Sequence, residues 1–423
     1  MVASTDIKFF VHSNNNAPQL QNAYGSMIGV LDACLVNGFG SQAVATLTAS
    51  GMTVTATYGS AHNYLRYQVT KIAGVNQTEF NGEHRILTVP DANTITFELA
   101  VVPSVTTATG TITSSLPSLG WEKPFSSTNV NGGGKAAYRS KNTLLPSRPF
   151  LRVVDELDPA YTATYAKYAK VGIVEDMTGI DTMLGVQAPY DSANPNKNWV
   201  GTGSGTSGVN GWARWYYAAS SAVSGGLINS QTPAAGNRQW LLVGNSDYFY
   251  ILPTSTVTSA AVNTQHASAY GFGAFKSLLN ADNSCTFLQS HPTLSNNAAS
   301  VNANFSLVSS LANSSLLLLR DYAQSANYKA ANCLSLSSDT VGSGVNNVIG
   351  ASTLTNTAPF APVFIKEDTT NVLRGQIKNL FWLFQQKPYS NFQLIEKDGA
   401  LYIAAFIAST SNLGQIVLKI GDL

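Results

Sequence analysis

The sequence predicts a mainly β, multidomain chain, built of β-sandwich or barrel modules with few short helices and with one β-domain inserted into the N-terminal module. Three observations carry this. Between residues 41 and 115, short Thr/Val/Ala-rich runs alternate in polarity and are separated by turn residues. From Arg238 to Leu252, two apolar runs flank Gly244-Asn245-Ser246-Asp247, the pattern of a hairpin. Only the stretch from Pro18 to Gly38 repeats apolar residues at clear helical spacing.

Taken in order, the helix is expected over Pro18 to Gly38, with Leu20, Tyr24, Met27, Ile28, Leu31 and Leu35 on one face. Pro18 suits its first turn and Asn37-Gly38 its stop. Strands are then expected at Ala45 to Thr48, Val54 to Tyr58, Tyr67 to Ile72, Arg85 to Val89, Thr94 to Leu99 and Gly110 to Thr113, with turns at Asn81-Gly82 and Asp91-Ala92-Asn93. So many short strands in one stretch describe a small sandwich or barrel. The composition changes back at Leu119, so 1–40 and 116–186 read as one discontinuous N-terminal module around an insert at 41–115.

Further strands are expected at Lys135 to Lys141, Phe150 to Val154 and Lys170 to Val174, while Tyr161 to Ala169 fits either a short helix or a strand. Residues 187–208, which end in the run Gly201 to Gly208, read as a flexible Gly/Ser linker. Residues 209–423 read as a C-terminal β-rich region, with room for two subdomains dividing near 300–350. Its strands are expected at Tyr270 to Phe275, Phe360 to Lys366, Phe381 to Gln385, Gln393 to Lys397 and Leu401 to Ile407, the last pair joined by Asp398-Gly399. No fixed-period repeat supports a solenoid or propeller.

Composition excludes more than it selects. The 24 basic and 23 acidic residues nearly cancel, so no nucleic-acid footprint is expected. Charged residues make up 11% of the chain, against about a quarter in a typical soluble domain. The surface must therefore be rich in Ser, Thr, Asn, Gln and Gly, which suits a chain covered by neighbours or one with uncharged polar loops. The cysteines, Cys34, Cys285 and Cys333, form no disulfide framework or zinc spacing and fit assembly in a reduced cytosol. The residues after Met1 lack the pattern of a signal peptide, and no apolar run is long enough to span a bilayer, so a soluble product without membrane insertion is expected.

Gly132-Gly133-Gly134-Lys135 raises the question of a phosphate-binding loop. Such a loop needs a buried strand before it, a hydroxyl after the lysine and a helix beyond. Here Ala136 follows the lysine and Ser126 to Asn131 is polar, so the triplet reads as a hairpin tip. His12, His62, His84, His266 and His291 lie far apart, so neither a metal nor a cofactor is expected. Asp155, Glu156 and Asp158, or Glu175, Asp176 and Asp181, could supply the carboxylate pair of a glycosidase. Both groups lie where a strand meets a turn, where Asp commonly caps backbone N–H groups instead, and no catalytic residue is assigned. Trp212, Trp215, Tyr216 and Tyr217 form the densest aromatic cluster, suited to a saccharide platform or an interface, with core packing as the simpler reading.

Asn14 to Pro18, Gly25 to Asp32, Leu35 to Gly40, Leu119 to Phe125 and Lys135 to Ser140, continued through Arg152 to Asp155, Glu175 to Thr178, Arg238 to Trp240, Phe275 to Ser277 and Leu373 to Gly375, resemble virion structural proteins of tailed bacteriophages. The resemblance implies a non-catalytic tail or baseplate component located in the virion. Its expected partners are other virion proteins and further copies of itself, a trimer being the expectation, and neither nucleic acid nor membrane is among them. Alternatives within reach are capsid decoration, a head-to-tail accessory role, or a tail protein that binds or degrades host-surface glycan. The family supplies no catalytic residues.

Overall fold

The computed structural model describes residues 2–204, 211–220, 231–257, 268–292, 316–320, 328–334, 360–367, 372–383, 389–408 and 413–423. The chain is mainly β and multidomain, with sandwich-like packing of antiparallel sheets. The largest sheet has 13 strands and runs from Lys8–Val11 through Trp240–Gly244, Tyr248–Pro253, Tyr270–Ala274 and Thr286–Gln289, then across Leu316–Arg320, Tyr328–Leu334, Phe360–Glu367, Leu373–Leu383, Leu413–Asp422 and Ala400–Ala408, to Leu394–Lys397. A seven-stranded sheet orders Trp121–Thr128, Gly133–Ser140, Phe150–Glu156, Lys167–Gly179, Ala213–Ala218 and His291–Pro292, with Thr182–Ala188 added on Lys167–Gly179.

The pleat explains why Trp240–Gly244 and Tyr248–Pro253 are buried at every position. Side chains alternate between faces along a strand. Trp240, Leu242, Phe249 and Ile251 enter one core with Trp121, Tyr138, Val153 and Trp215 of the seven-stranded sheet. Leu241, Val243, Tyr250 and Leu252 enter a second core with Ile365, Ile377, Leu380 and Ile403, from the far end of their own sheet. The large sheet thus bends back on itself, and Lys276–Ser277 pairs with Leu373–Leu383 at the bend.

Residues 39–116 hold two four-stranded sheets, one of Phe39–Ala43, Gly110–Leu116, Val69–Val75 and Gly82–Arg85, the other of Thr46–Ser50, Thr53–Thr57, Thr94–Glu98 and Thr88–Asp91. Leu47, Val54, Ile95 and Phe97 point inward and their threonine neighbours outward, the alternation read from the sequence. The strand expected over Arg85 to Val89 is instead two, because the chain passes from one sheet to the other at Ile86-Leu87. Phe39 pairs with Leu116, so the chain enters and leaves this unit side by side.

The unit is bound to the rest of the chain by polar contacts as well as by a continuous core. The Gln68 amide donates to Asn14 Oδ1 and to the Phe9 carbonyl, and Asn14 donates in return to Gln68. Arg85, 2% exposed, donates to the carbonyls of Ser4, Ile7, Tyr67 and Ile420.

The helix is shorter than its apolar spacing predicts: an α-helix at Ser26–Leu31 runs into a π-helical stretch at Asp32–Asn37. Residues before it are held elsewhere, since Leu20 forms an isolated bridge with Arg238 and Gly25 adopts φ of 87°. Tertiary pairing there overrides local periodicity. The expected linker is also altered: Gln187 belongs to a strand, and Asn198 and Trp199 pack against Lys167–Gly179 through Asn198 Nδ2 on the Val171 carbonyl. The division at 187–208 does not coincide with a break in pairing, because Lys8–Val11 pairs with Trp240–Gly244 and Lys167–Gly179 with Ala213–Ala218. Residues 205–208 of that linker, and most of the 300–350 interval where a further division was expected, lie outside the described residues.

Candidate functional site

The glycine triplet joins two strands as a hairpin. Trp121–Thr128 pairs with Gly133–Ser140, and the Gly132 N–H donates to the Asn129 carbonyl at the tip. The polar run Ser126 to Thr128 is therefore strand, its polarity explained by an alternately exposed outer strand. Lys135 Nζ lies 2.9 Å from both carboxylate oxygens of Asp181, which also accepts from Arg152 at 2.5 Å. The lysine of the supposed phosphate loop is thus engaged by a carboxylate of its own chain.

The carboxylates follow the same pattern. Leu151, Val153 and Asp155 share the inward face of Phe150–Glu156, which carries Asp155 to the start of the short helix. Asp155 is wholly buried and accepts from the Met27 N–H at 3.0 Å, the Ile28 N–H at 3.4 Å and the Tyr217 hydroxyl at 2.6 Å. Burial pushes its pKa up to about 6 against the pull of those hydrogen bonds. Asp158 lies 2.7 Å from Lys170 Nζ and also accepts from the N–H groups of Ala160 and Gly201. Burial opposes its ionisation, but Lys170 and those donors prevail and hold the carboxyl below the usual range. Asp176 accepts from the Met177 N–H. Asp155 and Asp158 are closed to solvent, at 0% and 3% exposure, so neither can meet a polysaccharide.

The aromatic cluster does not share one surface. Ala213–Ala218 is buried on both faces, so alternation sends Trp215 and Tyr217 into the core between the large sheets and Tyr216 to the opposite side. Trp215 stacks on Tyr270 at 5.8 Å and donates its indole N–H to the Gln289 carbonyl. The Tyr216 hydroxyl accepts from Arg214. Trp212 is partly exposed, with Lys197 Nζ 4.9 Å from its ring centre. Compositional density was visible in the sequence, but the burial of both faces depends on sheets that come from distant segments.

His291, hydrogen-bonded to Tyr270, is held down to about 3 by burial and by Arg214. Among the described residues, no group of three His, Cys, Asp or Glu is placed to hold a metal ion. His266 lies outside them. Sequence reading missed the charged groups that close the fold: Arg85, and Arg374, which is buried between Asp282 at 3.0 Å and Glu367 at 2.5 Å. Local sequence carried no signal for either, since Arg85 ends the polar strand Gly82–Arg85 and Arg374 shares its strand with Gln376, Lys378 and Asn379.

No protein-family model matches the chain, and no curated protein matches it. Among solved structures it is similar to the phage phi92 endosialidase, with 10% identity and a TM-score of 0.15. That likeness covers 90% of this chain and 51% of the endosialidase, so the chain spans about half the length of that protein. At this TM-score the likeness carries no argument about activity.

Proposed function

We propose that this chain is a non-catalytic structural component of a tailed-phage virion, in the tail or baseplate, where it contacts other virion proteins and further copies of itself. The observation that carries the reading is the structural use of Asp155 and Asp158: one anchors a helix and the other is buried against Lys170. The resemblance of the segments from Asn14 to Gly375 to phage virion proteins supports the virion. Exposed apolar residues at one end of the inserted unit support protein contacts. Met52, Val101 and Val102 are 46%, 59% and 67% exposed, and the Leu99 N–H on the Met52 carbonyl brings the two loops together.

The test has two arms. Mass spectrometry and cryo-EM of purified particles should find the chain in the tail or baseplate, with light scattering of the purified protein showing an oligomer, a trimer by expectation. Incubation with host cell wall and capsular polysaccharide should release no reducing ends. Location on the capsid would favour decoration instead. Sustained turnover that disappears in Asp176→Asn would replace the structural reading with an enzymatic one.

A further inference from the structure

The side chains of Lys170 and Asp158 are 3% and 2% exposed and stand 2.7 Å apart, the lysine on Lys167–Gly179 and the aspartate just beyond Phe150–Glu156. We propose that they condense to an intramolecular amide, a covalent cross-link between these two segments of the seven-stranded sheet. This goes beyond the virion reading and does not depend on it.

Four features favour condensation over a permanent ion pair. A buried ion pair bears a large desolvation cost, which a neutral amide does not. The lysine stem is confined, because Gly211 approaches so closely that a Cβ there would lie 2.7 Å from Lys170 Cγ. Nζ is also tied to the Trp199 carbonyl at 2.5 Å, which fixes it beside the carboxyl. Groups held this way reach effective concentrations of about 10⁵ M or more, enough to drive a reaction that is unfavourable between free solutes. Finally, the Ala160 N–H donates to Oδ1 at 2.9 Å and the Gly201 N–H to Oδ2 at 2.7 Å, so charge that builds on either oxygen during attack meets a fixed donor.

The atoms balance without a co-reactant. The pair rests ionised, since Lys170 and the two N–H donors hold Asp158 below the usual carboxyl range. Condensation starts from the minor form in which a proton has moved along the Nζ to Oδ2 hydrogen bond, leaving a neutral amine beside a carboxylic acid. Burial, which pulls the Lys170 ammonium below the ordinary lysine range, eases that transfer. The nitrogen lone pair attacks Cγ, forming the N–C bond. The Cγ–Oδ2 bond then breaks, and Oδ2 leaves as water with two of the three ammonium hydrogens. Oδ1 remains as the amide carbonyl on the Ala160 N–H, and the third hydrogen stays on the new amide.

The experiment is intact mass spectrometry of the purified full chain, followed by a tryptic map. The expected mass is one water below that of the sequence, with Lys170 resistant to trypsin and its peptide joined to the one containing Asp158. Asp158→Asn should lose one ammonia instead, and Lys170→Arg should have its full sequence mass. A wild-type chain of full sequence mass after prolonged incubation in the folded state overturns the proposal. So does a missing water that persists in Lys170→Arg, or one that maps to Asp398-Gly399, where a succinimide would give the same loss.

Discussion

Gly25 and Gly133 meet backbone to backbone: a Cβ on Gly25 would lie 2.9 Å from the Gly133 Cα, and both residues have positive φ, 87° and 75°. This contact seats the start of the short helix against the hairpin and brings its N–H groups onto Asp155. The glycine triplet is therefore a packing device.

It follows that Gly133→Ala and Gly132→Ala should differ sharply. A methyl at Gly133 would collide with the Asp155 carbonyl, whereas Gly132, at φ of 97°, has nothing within 4 Å. Urea denaturation should show Gly132→Ala costing about 1–2 kcal/mol for its left-handed backbone alone. Gly133→Ala should cost clearly more, or yield no folded protein. Equal losses would mean that the close approach is not required.

The hairpin illustrates what the sequence made legible. Turn residues and alternation are local, and they located this tip, the Trp240–Gly244 and Tyr248–Pro253 pair, and most strands of the two four-stranded sheets of residues 39–116. Pairing between Lys8–Val11 and Trp240–Gly244 joins segments more than 200 residues apart, and nothing local encodes it. Capping by Asp155 and core packing of Trp215 were the simpler readings and are what the structure holds, but the strands that bury both come from distant segments that no local pattern names.

Asp155 should give stability an identifiable pH dependence. Its folded pKa, about 6, lies above the unfolded value of about 3.9. The stability it contributes is thus fully present below about pH 4 and is lost as pH rises through 6. Asparagine cannot ionise, yet its Oδ1 can still accept from Met27 and its amide can donate to the Tyr217 hydroxyl. Relative to wild type, Asp155→Asn should therefore be more favourable at pH 7.5 than at pH 4.5, as read from urea midpoints. Parallel profiles would show that Asp155 does not titrate in that window.

The aromatic cluster should divide by burial. Trp215→Ala empties a fully buried site between the sheets and should cost about 3–5 kcal/mol. Trp212→Ala, at the partly exposed residue just before the Ala213–Ala218 strand, should cost under about 1.5 kcal/mol. Neither change should alter retention on host polysaccharide in affinity electrophoresis. Loss of retention in Trp212→Ala with unchanged stability would restore a glycan-facing role for that residue.

Arg85 ties three distant parts of the chain to one buried guanidinium. It reaches Ser4 and Ile7 near the start, Tyr67 within the 39–116 sheets and Ile420 near the end, all through main-chain carbonyls. Gly421 permits the approach, since a Cβ there would lie 2.6 Å from Nη2. Each buried carbonyl left without a donor costs about 1–3 kcal/mol, so Arg85→Ala should destabilise by on the order of 4 kcal/mol or more. Arg85→Lys should recover little, because one ammonium cannot reproduce the fork that spans four acceptors. Hydrogen exchange should accelerate together in the Lys8–Val11, Val69–Val75 and Leu413–Asp422 strands of either variant, and Gly421→Ala should share that signature. Exchange confined to the 39–116 sheets would show that Arg85 serves those sheets alone and that the chain ends hold without it.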